Sequence, residues 1–103
     1  MTSLINQTTK RFYFDTPQTE KLQAFSVRNA TGMLTSATFT NTSTESSKIT
    51  ITLNGADILY EYEVAAGTNE VLPFNIVLEA GDIVYIKQSV PNAVNVSLNG
   101  SIG

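Results

Sequence analysis

Val71-Leu-Pro-Phe-Asn-Ile-Val-Leu-Glu-Ala-Gly-Asp-Ile-Val-Tyr-Ile-Lys-Gln-Ser89 is the most densely apolar stretch of the chain. Its two apolar runs, Val71–Leu78 and Ile83–Ile86, flank Glu79-Ala80-Gly81-Asp82. Short runs rich in Val, Ile, Phe and Tyr and bounded by turn residues read as strands, not helices. A Gly-containing connector of this length suits a type I turn, with Gly81 taking the positive φ that side chains resist. The stretch is expected to be the central hairpin of a β-sandwich. Pro73 cannot donate to a ladder, so its strand should lie at an edge or carry a bulge.

Working towards the N-terminus, the clearest hairpin signal lies just upstream. Lys48–Leu53 alternates strictly, Asn54-Gly55 is the preferred type I′ pair, and Ile58, Tyr60, Tyr62 and Val64 alternate inward beyond it. Glu61 and Glu63 then face water. Before it, Asn41–Ser47 reads as a polar loop, too hydrophilic to be buried. Met33–Thr40 is a strand with Met33, Ala37 and Phe39 on one side. Lys21–Asn29 is another, with Phe25 and Val27 inward. Lys10–Asp15 places Phe12 and Phe14 on one face and Tyr13 opposite them, and Pro17 marks the turn that follows. Residues 1–9 read as a polar arm, leaving 10–103 as one sandwich domain.

Downstream, Ser89–Asn92 turns the chain, Ala93–Leu98 is the last strand, and Asn99–Gly103 closes the chain with turn chemistry. About eight strands at intervals of roughly ten residues define an all-β, antiparallel sandwich, jelly-roll-like or Ig-like. The echo between Thr50–Gly55 and Asn95–Gly100 is explained by two strands with the same ending, without a duplication.

Composition narrows the function. The 103 residues contain no Cys and no His, which removes disulfides, thiolate chemistry, and the commonest general base and metal ligand. A net charge of −3 with six Lys and Arg does not suit a nucleic-acid partner. No apolar run reaches the roughly 18 residues of a membrane helix, and Met1–Thr8 lacks the features of a signal peptide. A soluble protein made in a cytoplasm is expected. Ser, Thr and Asn form roughly a third of the chain, whereas charged residues are 15% against a usual figure of about 25%. Polarity with little charge suits surfaces that pack against neighbouring subunits.

The candidate chemistry has a plainer reading at each place. Glu61 and Glu63 share a strand face and could act as a carboxylate pair, but an amphipathic strand explains them as solvated acids. Asp57, Glu79 and Asp82 could offer oxygen ligands to Ca²⁺, although no dense Asp-rich loop holds them. For Asp82 the plainer role is to cap backbone N–H groups of its own turn. Tyr13, Tyr60, Tyr62 and Tyr85 could stack a sugar; core or interface packing accounts for Tyr60 and Tyr62, and Tyr13 should be the most exposed. Asn-x-Ser/Thr tripeptides begin at Asn6, Asn29, Asn41, Asn95 and Asn99, as expected by chance in such a composition. Catalytic residues, cofactor and metal are therefore all expected to be absent.

The runs Ile49–Gly55, Tyr60–Gly67, Leu72–Asp82 and Ala93–Leu98 together resemble small all-β virion proteins of tailed bacteriophages. In those proteins a hairpin is followed by an aliphatic–Leu–x–Ala–Gly–Asp–aliphatic hairpin and a closing Asn-Ala-Val-Asn-Val strand. The resemblance covers Ile49 to Leu98. It implies a non-catalytic structural protein of the particle (a capsid decoration, neck, tail or fibre-associated subunit) that partners itself and other virion proteins. It transfers no functional residues, because the shared positions are core and turn positions. The alternative is a carbohydrate- or cell-surface-binding sandwich, with Tyr13 or loop 41–47 contacting a surface glycan.

Overall fold

The computed structural model describes residues 8–103. Eight strands follow one another: β1 (Thr8–Asp15), β2 (Leu22–Ser26), β3 (Gly32–Asn41), β4 (Ser47–Leu53), β5 (Ala56–Val64), β6 (Asn69–Leu78), β7 (Ile83–Gln88) and β8 (Val94–Ile102). They form two four-stranded sheets with orders β1-β8-β3-β6 and β2-β7-β4-β5, and every pairing is antiparallel. The pairs β4–β5, β3–β6, β2–β7 and β1–β8 describe one long hairpin whose tip is Asn54-Gly55, folded over so that its strands alternate between sheets. This is the jelly-roll arrangement of an all-β sandwich.

Each sheet turns one face inward, because side chains alternate along a strand. Leu34, Ala37, Phe39, Val94, Val96 and Leu98 from the first sheet meet Phe25, Ile49, Ile51, Val84 and Ile86 from the second. Burying each such aliphatic or aromatic side chain contributes about 1.5–3 kcal/mol.

Residues 71–89 do not form a hairpin. β6 lies at the edge of the first sheet beside β3, whereas β7 lies inside the second sheet between β2 and β4. The local turn chemistry is nevertheless as expected. Gly81 has φ 96°, the Asp82 N–H donates to the Glu79 carbonyl at 3.0 Å, and the Asp82 carboxylate accepts from the Glu79 N–H at 2.8 Å. The same turn reverses the chain between sheets because its flanks bond elsewhere: Gly81 N–H to the Val27 carbonyl at 2.8 Å, and Val27 N–H to the Asp82 carbonyl at 2.9 Å. Pro73 does lie on an edge strand, opposite a register shift.

Bulges account for most other departures. Arg11 pairs with Asn99 and Tyr13 with Leu98, so Phe12 is the extra residue in β1. Phe12 stacks on Phe25 at 4.6 Å and Tyr13 also packs against the core, while Phe14 swings out to 65% exposure. Thr35 is the extra residue of β3 against β8, which makes Leu34, not Met33, the inward partner of Ala37 and Phe39. In β5, Tyr60 and Glu61 together oppose Thr50. Glu61 adopts φ 48°, its N–H bonds to Thr50 Oγ1 at 3.1 Å, and Tyr60 is thrown outward, 69% exposed.

The Asn54-Gly55 hairpin forms, but only Asn54 has a positive φ, of 55°, so the turn is not the type I′ form. Asn99-Gly100 is not a turn; it lies within β8, paired to both β1 and β3. The expected arm, residues 1–9, falls largely outside the described residues. Thr8 and Thr9 already belong to β1, opposite Ile102 and Ser101.

Candidate functional site

The two outer faces of the sandwich differ in charge. Across the first sheet, outward rows in register are Thr9–Ser101–Met33–Val77, Arg11–Asn99–Ser36–Pro73 and Phe14–Ser97–Thr38–Val71. Arg11 is the one charged residue in these rows. Its guanidinium carbon sits 5.2 Å from the centre of the Phe14 ring. Hydroxyls and amides form the middle of the face, and exposed Phe14, Val71 and Val77 form its margins. Across the second sheet the outward residues include Asp57, Lys48, Glu63 and Lys87, with Lys21 3.7 Å from Asp57.

All four edge strands are irregular. β1, β2 and β5 carry register shifts, and β6 faces one beside Pro73. Bulges and proline make an edge a poor template for adding a further strand. Strand addition at these edges is therefore disfavoured.

The acidic candidates are dispersed. Glu61 lines a recess of about 170 Å³ with Lys48, Thr50 and Lys87, and Glu63 is not among its lining residues. Glu61 and Glu63 are both exposed, as expected of solvated acids. Asp57 accepts from the Thr52 hydroxyl at 2.6 Å. Asp82 accepts from the Glu79 N–H and, at 3.1 Å, from Asn54 Nδ2. Those two bonds, the backbone one foremost, hold its carboxyl below the usual aspartate range. Asp57, Glu79 and Asp82 do not converge; among the described residues no three acidic groups are gathered as a metal site would require.

The tyrosines form no common platform. Tyr13 lies on edge strand β1, Tyr60 and Tyr62 on the opposite edge strand β5, and Tyr85 on β7 within the second sheet. Tyr60 is not inward, whereas Tyr62 is half-buried, 5.8 Å from the Phe39 ring. The Tyr62 hydroxyl donates a short bond to Glu70, which with burial raises its pKa. Tyr13 is half-buried instead of exposed; burial, then the Asp15 charge, pushes it up to about 12.

Two polar hubs were not evident from composition. Gln88 is 1% exposed. Its Nε2 donates to the Pro17 and Val94 carbonyls at 2.6 and 3.2 Å, and its Oε1 accepts from the Ser47 hydroxyl and the Val94 N–H at 2.9 and 3.1 Å. Asn41 and Ser47, at the ends of the supposedly solvated loop, are both buried. Asn41 Nδ2 donates to the Glu45 and Val64 carbonyls at 2.8 and 3.0 Å. Those bonds tie loop 41–47 down, with Thr42, Thr44, Glu45 and Ser46 left exposed.

No family model matches this chain, and no curated protein matches it. Among solved structures it is similar to a chain from the "Structure of infectious bursal disease virus Gt strain", with a TM-score of 0.44 and 17% identity over 93% of this chain. The chain spans 29% of that chain's length.

Proposed function

We propose that this chain is a non-catalytic structural component of a bacteriophage virion, a capsid decoration, neck, tail or fibre-associated subunit. It is made in the host cytoplasm and works in the particle by packing against copies of itself and other virion proteins. The observation that carries this reading is the partition of charge between the faces: one sheet presents Ser, Thr and Asn with apolar margins and a single Arg. Covering that face strips water from few charges, and its hydroxyls and amides can pair across an interface, so its desolvation cost is low. The irregular edges direct contact to faces of this kind.

Two further points support the reading. Ile49–Leu98 carries the resemblance to tailed-phage virion proteins, and jelly rolls recur in viral capsid domains as well as in lectins. Fold alone does not select among such roles. A non-catalytic role fits a chain without His or Cys whose candidate acids are dispersed, and whose Asp57 and Asp82 are engaged in structural bonds. The test is mass spectrometry of purified particles from the phage that encodes the chain. Its peptides are expected at many copies per particle, and complete infectious particles without it would overturn the proposal.

A further inference from the structure

Two open recesses meet at the corner where β1 leads into β2. One, of about 270 Å³, is lined by Phe14, Asp15, Thr16 and Asn95. The other, of about 250 Å³, shares Asp15 and Thr16 and continues past Tyr13, Gln18 and Gln23. The Phe12 bulge creates the corner by turning Phe14 outward.

The polar groups here are held in place yet only partly used. Asp15 Oδ1 accepts from the Thr16 N–H at 2.7 Å, which leaves Oδ2 unpartnered among the described residues. The Thr16 hydroxyl donates to Asn95 Oδ1 at 2.6 Å, so the Asn95 amide points its two N–H donors elsewhere. Gln18 Nε2 donates to the Thr16 carbonyl at 3.1 Å and to Asn92 Oδ1 at 3.4 Å, leaving Gln18 Oε1 as an acceptor. A carboxylate oxygen and an amide donor thus share one recess with the exposed Phe14 ring, and an amide acceptor lies in the adjoining recess.

We infer that this corner is a binding site for a neutral sugar unit. The C–H face of a pyranose is apolar and suits the Phe14 ring, while vicinal hydroxyls suit a carboxylate acceptor beside an amide donor. Among the described residues Asp15 is the one charged residue lining either recess, and the Arg11 guanidinium packs on the Phe14 ring, 5.2 Å from its centre. Arg11 offsets the Asp15 charge, so the corner has no net charge to draw an ionic ligand. Each recess is smaller than the roughly 300–1,000 Å³ of a pocket that engulfs a drug-sized ligand. One sugar ring lying across the corner matches better. The site shares Phe14 with the margin of the packing face, whereas Asp15, Thr16 and Gln18 lie outside that face's outward rows.

The test is a titration of the full chain with neutral hexoses, N-acetylhexosamines and their disaccharides, followed by amide NMR shifts. Weak saturable binding is expected, with shifts centred on Phe14–Gln18 and Asn95. Phe14→Ala and Asp15→Asn should each weaken it roughly tenfold, and Asp15→Asn, which lies outside the packing face, should leave the thermal melt unchanged. Both side chains are exposed, so both variants are expected to fold. Asn95→Ala provides a second, independent loss from the amide donor. No saturable shift with any of these sugars would overturn the inference. So would shifts centred elsewhere, affinity unchanged in all three variants, or tighter binding of a sialylated sugar than of its neutral parent.

Discussion

Ser47 and Gln88, 41 residues apart, are joined by a buried hydrogen bond of 2.9 Å from the serine hydroxyl to the glutamine Oε1. The Ser47 hydroxyl also accepts from the Val90 N–H at 3.1 Å. With the Pro17 and Val94 contacts of Gln88, this pair links β4 and β7 to the loops entering β2 and β8. An amide with all four positions filled costs little to bury, and each partner it satisfies becomes costly if abandoned.

Gln88→Leu keeps most of the volume but strands the Pro17 and Val94 carbonyls, the Val94 N–H and the Ser47 hydroxyl. Its expected cost is about 3 kcal/mol or more, at 1–3 kcal/mol for each group left unsatisfied. Ser47→Ala removes one bond to Gln88 and should cost about 1–2 kcal/mol. Urea unfolding of both variants measures the difference.

Gly100→Ala should be among the most damaging substitutions. A Cβ there would lie 1.8 Å from the Met33 carbonyl oxygen, where β8 and β3 approach at the Thr35 bulge. The backbone must part to admit it, and a loss above about 4 kcal/mol is expected. Gly55→Ala meets nothing within 4 Å and serves as the control. Thermal melts of the two proteins should differ widely.

Glu61→Gly should stabilise the fold. Glu61 occupies the left-handed region at φ 48°, which glycine adopts without steric cost. Relief of that strain, offset by the greater chain entropy of glycine, gives an expected gain of up to about 1 kcal/mol. The same urea titration reads it, and a loss would indicate that the Glu61 side chain contributes packing that exceeds the strain.

The pH limits follow from two kinds of group. The Asp82 carboxyl is lowered in the fold, so its contribution is complete above the unfolded value of about 3.9 and is lost as pH falls through the folded one. The Tyr13 and Tyr62 phenols are raised, so theirs is complete below about 10. It is lost as pH rises further, for Tyr13 through about 12. Asp82→Asn should flatten the acid limb of a stability–pH curve, and Tyr13→Phe the alkaline limb.

Much of the roll was legible as strands. Strict alternation at Lys48–Leu53 and the Asn54-Gly55 pair located its tip, and Phe25, Val27, Val94, Val96 and Leu98 lie inward as their spacing requires. Sheet membership was not legible at Glu79–Asp82, because a turn closed by its own i to i+3 bond has the same sequence whether its strands pair or part. Faces were misread at Phe14, Met33 and Tyr60 for one reason. A bulge shifts the two-residue period by one, and the Phe12, Thr35 and Glu61 bulges carry no glycine to announce them.

The weakly charged face was foreshadowed by abundant Ser, Thr and Asn, but its segregation from the more highly charged face depends on sheet order. Gln88 did leave a signal: it continues the inward period of Val84 and Ile86, where a polar residue implies a satisfied buried amide.

The central claim is that the face of the β1-β8-β3-β6 sheet is a packing surface, and native mass across a concentration series tests it most directly. A discrete trimer, pentamer or hexamer is expected, dissociated by Thr38→Lys at the centre of that face and unaffected by Lys48→Gln on the charged one. A monomer at every concentration, or an oligomer that Thr38→Lys leaves intact, would contradict it.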